Sequence, residues 1–180
     1  MPNALHEQPK QSRTNSTVMR TKSDDHPDVI FFPPMILGTT VVLACMLQWL
    51  LPLGQLTTID QTWRIVGGCV VILAGISLAV AGRRTLVRLG TNVSPLRPTT
   101  ALATSGVYKW TRNPLYTGGT LVMFGIALAF ALDWLVLLIP LSVLILHLGV
   151  VTREEQYLEQ KFGDSYRQYK ASVARYGIGI

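Results

Sequence analysis

Two short polar stretches hold the residue types that could do chemistry. One is Arg112-Asn113-Pro114-Leu115-Tyr116, the other Glu154-Glu155. Each stands at the end of an apolar segment, and the two meet if those segments fold as an antiparallel pair. A carboxylate at such a junction can bind ribose hydroxyls, an amine or a cation. Pro114 restricts the residue before it and opens a helix. The N-terminus of that helix offers free N–H donors and partial positive charge, which suits a ligand carboxylate. Successive helical residues point about 100° apart, so only one of Glu154 and Glu155 is expected to face a shared pocket directly. His147 lies seven residues before Glu154, on the same face two turns deeper. An ionisable side chain inside an apolar span is a functional candidate; the plainer alternative is a neutral His bonded to a backbone carbonyl.

The elements that must position these residues are four apolar runs: 30–53, 65–82, 115–132 and 134–151. None contains Lys, Arg, Asp or Glu. Each has the ~18 residues or more needed to cross a bilayer core of about 30 Å, and in lipid such runs must be helices. The alternative, buried helices of a soluble protein, would leave too little polar chain to cover them. The sequence therefore predicts an all-α integral membrane protein with about four transmembrane helices. Asp133 alone separates the last two, which makes them a tight hairpin. Pro140 inside the fourth run removes a helical hydrogen bond. Small residues at a spacing of four, Gly75/Ala79 and Gly125/Ala129, suit close packing of helices in membranes.

The 16 Lys and Arg residues of this chain of net charge +6 alternate along it. Four precede the first run, one (Arg64) lies in the first connection, six in the second, none in the third and five after the fourth. By the positive-inside rule this places both termini and the 83–112 segment in the cytoplasm. The basic balance thus reports topology and contact with anionic lipid. A nucleic-acid partner would need a basic face on a soluble domain, and there is none. Cys45 and Cys69 lie inside apolar runs and read as small packing residues. No Cys/His spacing suggests a metal site.

Residues 1–28 are polar without an apolar periodicity and read as a disordered cytoplasmic tail. Residues 29–180 form the membrane domain. The 91–114 connection is too long and too rich in Pro and Thr to be a turn only. Beyond Val151, Leu158, Phe162, Tyr166, Tyr169, Val173 and Tyr176 recur at spacings of four, four, three, four and three. They make one apolar face of an amphipathic C-terminal helix over 153–176. That helix lies on the inner leaflet, packs on the cytoplasmic loop, or does both, and Gly163 could break it in two.

Gly106-Val-Tyr-Lys-Trp-Thr-Arg-Asn-Pro-Leu-Tyr-Thr-Gly118, the apolar hairpin, Glu154-Glu155-Gln-Tyr-Leu158, Phe162-Gly163, Tyr166, Tyr169 and Val173 resemble the isoprenylcysteine carboxyl methyltransferase family and the related phospholipid N-methyltransferases. The resemblance covers residues 63–176, and its motifs are specific as a set. It implies an integral membrane enzyme that uses S-adenosylmethionine. It also implies cofactor contacts from Thr100, Ala101, Leu102 and Ala103 in the loop, from Tyr108, from Asn113, Pro114, Leu115 and Tyr116, and from Glu155. Asn113 stands where many members have His, and a proline usual near Tyr176 is missing.

Methyl transfer from a sulfonium is an in-line displacement that needs alignment and exclusion of water. It requires no metal and no covalent nucleophile. Tyr108 and Tyr116 offer aromatic faces to a cationic donor. Arg153 or Arg112 would orient a carboxylate acceptor; Glu154 or His147 would serve as base for an amine. The leading expectation is methylation of a lipophilic carboxylate of isoprenylcysteine type, with Arg153 and Glu154 as catalytic candidates. The alternatives are a phospholipid-amine N-methyltransferase and a non-enzymatic transport or assembly protein. The near absence of ionisable residues inside the runs weighs against a solute pathway.

Overall fold

The chain's structure, a computed structural model, describes Pro27 and residues 29–177. The tail expected over 1–28 lies, Pro27 apart, outside the described residues, as do positions 178–180. Helix α1 spans Pro33–Leu50, α2 Gln61–Arg88, α3 Pro114–Phe130 and α4 Asp133–Leu146. A π-helical turn, His147–Val151, carries α4 without a break into α5, Thr152–Phe162, and α6 follows at Asp164–Ser172. Among the described residues there is no strand.

Local sequence explains the helix ends. Pro33 and Pro34 open α1 where missing N–H groups cost little. The Asp60 carboxylate caps α2 by accepting from the amides of Thr62 at 2.9 Å and Trp63 at 3.3 Å. Pro114 opens α3. Helix α2 runs past Gly82, where its apolar run ends, to Arg88. Arginine ends passage through hydrocarbon, but it is a good helix former and does not end the helix.

Three helices, Pro33–Leu50, Gln61–Arg88 and the continuous Asp133–Phe162, are long and apolar enough to cross a membrane. The 17 residues of α3 make about 25 Å, at the short end of the spanning range. The apolar side chains of these helices are largely exposed: Met35, Trp49, Leu73 and Leu148 are each more than half accessible. A water-soluble surface would not carry so continuous an apolar belt. The protein is an all-helical integral membrane protein.

Helices α2 and α3 are antiparallel and in backbone contact. Gly68 faces Gly125 and Ala129, Gly75 faces Gly118, and Gly82 faces Pro114 and Leu115. A Cβ on Gly75 would come within 2.6 Å of the Gly118 carbonyl oxygen. Lipid offers no hydrophobic drive between helices, so this close approach is what van der Waals packing requires. It places the N-terminus of α3 against the end of α2. Cys45 and Cys69, expected to pack, are exposed on the helix surfaces instead; on α2 the glycines occupy the interface with α3, and on α1 the buried neighbour is Ala44.

At the far end of the bundle Asp133 does more than turn the hairpin. It is 5% exposed and accepts from the amides of Gly54 at 2.9 Å and Leu56 at 2.7 Å. It thereby staples the first connection to the start of α4. Trp134 Nε1 donates to the Leu51 carbonyl at 2.7 Å on the same side.

The C-terminal segment folds as two helices. Gly163 takes φ +54° and ψ −126°, which a residue with a Cβ avoids. The apolar face turns inward: Tyr166 and Tyr169 are buried in a cluster with Ala103 and Tyr108. Loop packing takes up this face.

Candidate functional site

A cleft opens where the 92–103 loop, the N-terminus of α3, the first turn of α5 and the inner face of α6 converge. The loop is held by its own polar side chains. Asn92 Nδ2 donates to the Pro98 carbonyl at 2.7 Å. Thr91 Oγ1 accepts from the Thr100 amide at 2.9 Å and the Ala101 amide at 3.4 Å. The Thr99 amide reaches the Tyr157 hydroxyl of α5 at 3.1 Å. Tyr108 is fixed from below, its carbonyl accepting the Tyr169 hydroxyl at 2.7 Å.

The cleft has a charged floor. Glu155, 5% exposed, takes Arg112 Nη2 at 3.0 Å and Arg175 Nε and Nη2 at 3.0 and 2.7 Å. Burial pushes the Glu155 carboxyl up, but hydrogen bonds and charge from Arg175 and Arg112 outweigh it and hold it below the ordinary range. Arg112 also donates through Nη1 to the carbonyls of Lys170 at 2.6 Å and Val173 at 3.0 Å. Its Nε is buried with no partner among the described residues. Glu154 instead accepts the Tyr116 hydroxyl at 2.9 Å. Burial raises its carboxyl above the ordinary value, the Tyr116 bond pulls it back in part, and the charge of Glu155 pushes it further up. Burial, and then the nearby Glu154, push the Tyr108 hydroxyl up, so it stays protonated.

The segment after α6 closes the floor. The Arg112 amide donates to Ala174 at 3.0 Å. The Arg175 carbonyl accepts both Thr111 Oγ1 at 2.9 Å and Asn113 Nδ2 at 3.2 Å. Asn113 therefore does not cap α3 with its side chain, and the first-turn amides of α3 are left without a side-chain cap.

The cleft brings together most of the residues expected from the sequence. Ala101, Leu102, Ala103, Tyr108, Asn113, Pro114, Leu115, Tyr116, Glu154 and Glu155 all line it. Thr100 does not; its hydroxyl turns to the Gly90 carbonyl at 3.1 Å, and Thr99 lines the wall in its place. Arg153 is not among the lining residues, and the cation that is there is Arg112. Both glutamates face the cleft, contrary to the expectation that only one could, because its walls wrap around the first turn of α5. His147 is not in the lining. The π turn takes more residues than an α turn, so the seven-residue spacing no longer keeps His147 beneath Glu154. Its Nδ1 lies 3.0 Å from the Tyr176 hydroxyl, a side-chain partner where a backbone carbonyl was the plainer expectation. Sequence reasoning missed Arg175, whose only local signal was a cation near the chain's end. Among the described residues, no group of three or more His, Cys, Asp or Glu side chains is placed to hold a metal.

A curated protein of Haemophilus influenzae, described only as uncharacterized, is 46% identical over 46 residues, which is 26% of this chain and 70% of that protein. The family model of the phospholipid methyltransferases matches residues 63–165. The match runs from the start of α2 through the loop, the hairpin and α5, and so takes in nearly every wall of the cleft. With more than half of its length matched, the chain belongs to the phospholipid methyltransferase family of membrane methyltransferases, which includes isoprenylcysteine carboxyl methyltransferase-like proteins.

Proposed function

We propose that the protein transfers a methyl group from S-adenosylmethionine to a lipophilic acceptor, with the cofactor seated in the cleft beside Tyr116 and Glu154. The observation that carries this reading is the cleft's set of groups. It combines an acceptor carboxylate (Glu154), aromatic faces (Tyr108, Tyr116) and uncapped α3 amides. That set suits one ligand bearing a cation, a carboxylate and hydroxyls.

When bound, S-adenosylmethionine supplies an electrophilic methyl group. The chain's part is to bind, orient and dry the site. Glu154 holds an amine or hydroxyl. Glu155, its oxygens taken by two arginines, sets the position of Arg112 in the wall. The cavity volume of the cleft is about 70 Å³. A ligand of the usual pocket size, roughly 300 Å³ or more, would occupy the mouth as well. Alternatively it would part the 92–103 loop from α5, where the Thr99–Tyr157 hydrogen bond closes them.

For the acceptor, the isoprenylcysteine-type carboxylate is favoured by Arg112, a cation in the wall. The new bond then forms to a carboxylate oxygen as the methyl–sulfur bond breaks, and no proton is released. A phospholipid amine is the second reading, favoured by Glu154. Its raised affinity for a proton suits it to take the one that the methylated amine sheds. Arg153 enters neither reading as a wall residue. We further propose that residues 29–180 act as one methyltransferase domain, with the cleft and both termini cytoplasmic. The 4, 1, 6, 0, 5 distribution of basic residues supports this.

The test is calorimetric binding of S-adenosylmethionine to detergent-purified protein, with Tyr116→Phe and Glu154→Gln alongside. Micromolar binding weakened at least tenfold in both variants is expected. A folded parent that does not bind overturns the proposal. Label uptake into a farnesylated cysteine against phosphatidylethanolamine then separates the two acceptors.

A further inference from the structure

On another face of α2, Ser77, Val80, Ala81, Arg84, Thr85 and Arg88 recur every three or four residues. They form one stripe about 16 Å long. The stripe is one wall of a groove of about 420 Å³, and Gly106 and Val107 form the other. Gly106, at φ +60°, allows the close approach; a Cβ there would lie 3.1 Å from the Thr85 hydroxyl. The groove shares no residue with the cleft.

Its two halves differ in chemistry. The half toward the middle of α2 is small and mostly apolar: Ser77, Val80 and Ala81. The Thr85 hydroxyl is turned back to the Ala81 carbonyl at 3.0 Å. The other half is cationic. Arg84 and Arg88 are exposed, and neither has a carboxylate or other hydrogen-bonding partner among the described residues. Arg83 and Arg84 directly follow Gly82, the last residue of the apolar run, so this half stands where hydrocarbon gives way to headgroups. Trp110, just beyond the Gly106–Lys109 turn, is 77% exposed, as interfacial aromatics are.

We propose that this groove binds one anionic phospholipid, with a chain along Ser77, Val80 and Ala81 and its phosphate between Arg84 and Arg88. Guanidinium groups match phosphate oxygens in pairs. A groove that is apolar below the interface and cationic above it complements a lipid. A free anion would have no use for the lower half. The proposal does not rest on methyl transfer.

The test is native mass spectrometry of lipid retained by the full chain from nanodiscs of phosphatidylcholine doped with phosphatidylglycerol. The variant is Arg84→Gln/Arg88→Gln. The control is Arg83→Gln/Arg97→Gln, which removes equal charge from exposed positions off the stripe. With a direct guanidinium–phosphate bond lost at each position, the variant should retain phosphatidylglycerol at least about tenfold more weakly than the control. Equal loss in variant and control would mean general surface attraction and overturn the proposal. So would full retention in the variant, or displacement of the lipid by inorganic phosphate alone.

Discussion

Replacing Glu155 by Gln should be the most damaging change of one charge at the floor of the cleft. The Arg112 and Glu155 side chains are 8% and 6% exposed, and that of Arg175 is 32% exposed. In Glu155→Gln two guanidinium groups lose their counter-charge, and that of Arg112 stays buried. Leaving one member of a buried pair uncompensated costs about 3–5 kcal/mol. In Arg175→Gln the remaining Arg112–Glu155 pair is still balanced one to one. The lost bonds come from a group a third exposed, so the cost is about 1–2 kcal/mol, the ordinary value for a charged hydrogen bond reduced by solvent screening. The two variants should therefore differ by about 1 kcal/mol or more, read by reversible denaturant unfolding in mixed micelles. The pH dependence has a definite sign. The Glu155 carboxyl is held below its ordinary value of 4.5, so its stabilising effect is complete above that value and is lost as pH falls below it. The gap between parent and Glu155→Gln should close on acidification. Equal costs for the two variants, or a gap that persists in acid, would refute the account of Glu155 as the charge that holds both arginines.

Other changes separate the parts of the molecule. Gly75→Leu should destabilise by at least the ~1–3 kcal/mol of overpacking, since its Cβ would meet backbone at 2.6 Å. Gly67→Ala, with nothing within 4 Å of its Cβ, should be neutral or stabilise by up to about 1 kcal/mol through helix propensity; thermal unfolding of the pair reads the contrast. Asp133→Ala removes the acceptor of the Gly54 and Leu56 amides. It should cost roughly 2–4 kcal/mol and leave cofactor affinity unchanged by calorimetry, because it acts at the opposite end of the bundle. Tyr176→Phe should cost about 1 kcal/mol through loss of its contact with His147 and speed hydrogen exchange in the segment after α6.

The elements were legible because their causes are local. Hydropathy over some 18 residues marks a span whatever it packs against. Prolines at 33, 34 and 114 start helices by removing donors that a first turn does not use. The small residues of α2 and α3 announced close packing, since in lipid only close backbone approach rewards them. Even the meeting of Tyr116 with the glutamates followed from a one-residue hairpin, which leaves its two far ends nowhere else to go.

The remaining features depended on partners far apart in the chain or on small changes of helical register. Arg175 reaches Glu155 only because Gly163 turns α6 back beneath the loop. Asp133 is a staple only because the first connection folds over it. The five residues of the π turn rotate His147 away from Glu154, and no spacing rule built on 3.6 residues per turn could foresee that. The sequence by itself thus determined which segments enter the membrane and which residues gather at one end of the hairpin, since these follow from composition and chain connectivity. The tertiary structure alone decided which of those residues are occupied with one another and which still face the cleft, because hydrogen-bond partnership turns on differences of an ångström that no local pattern records.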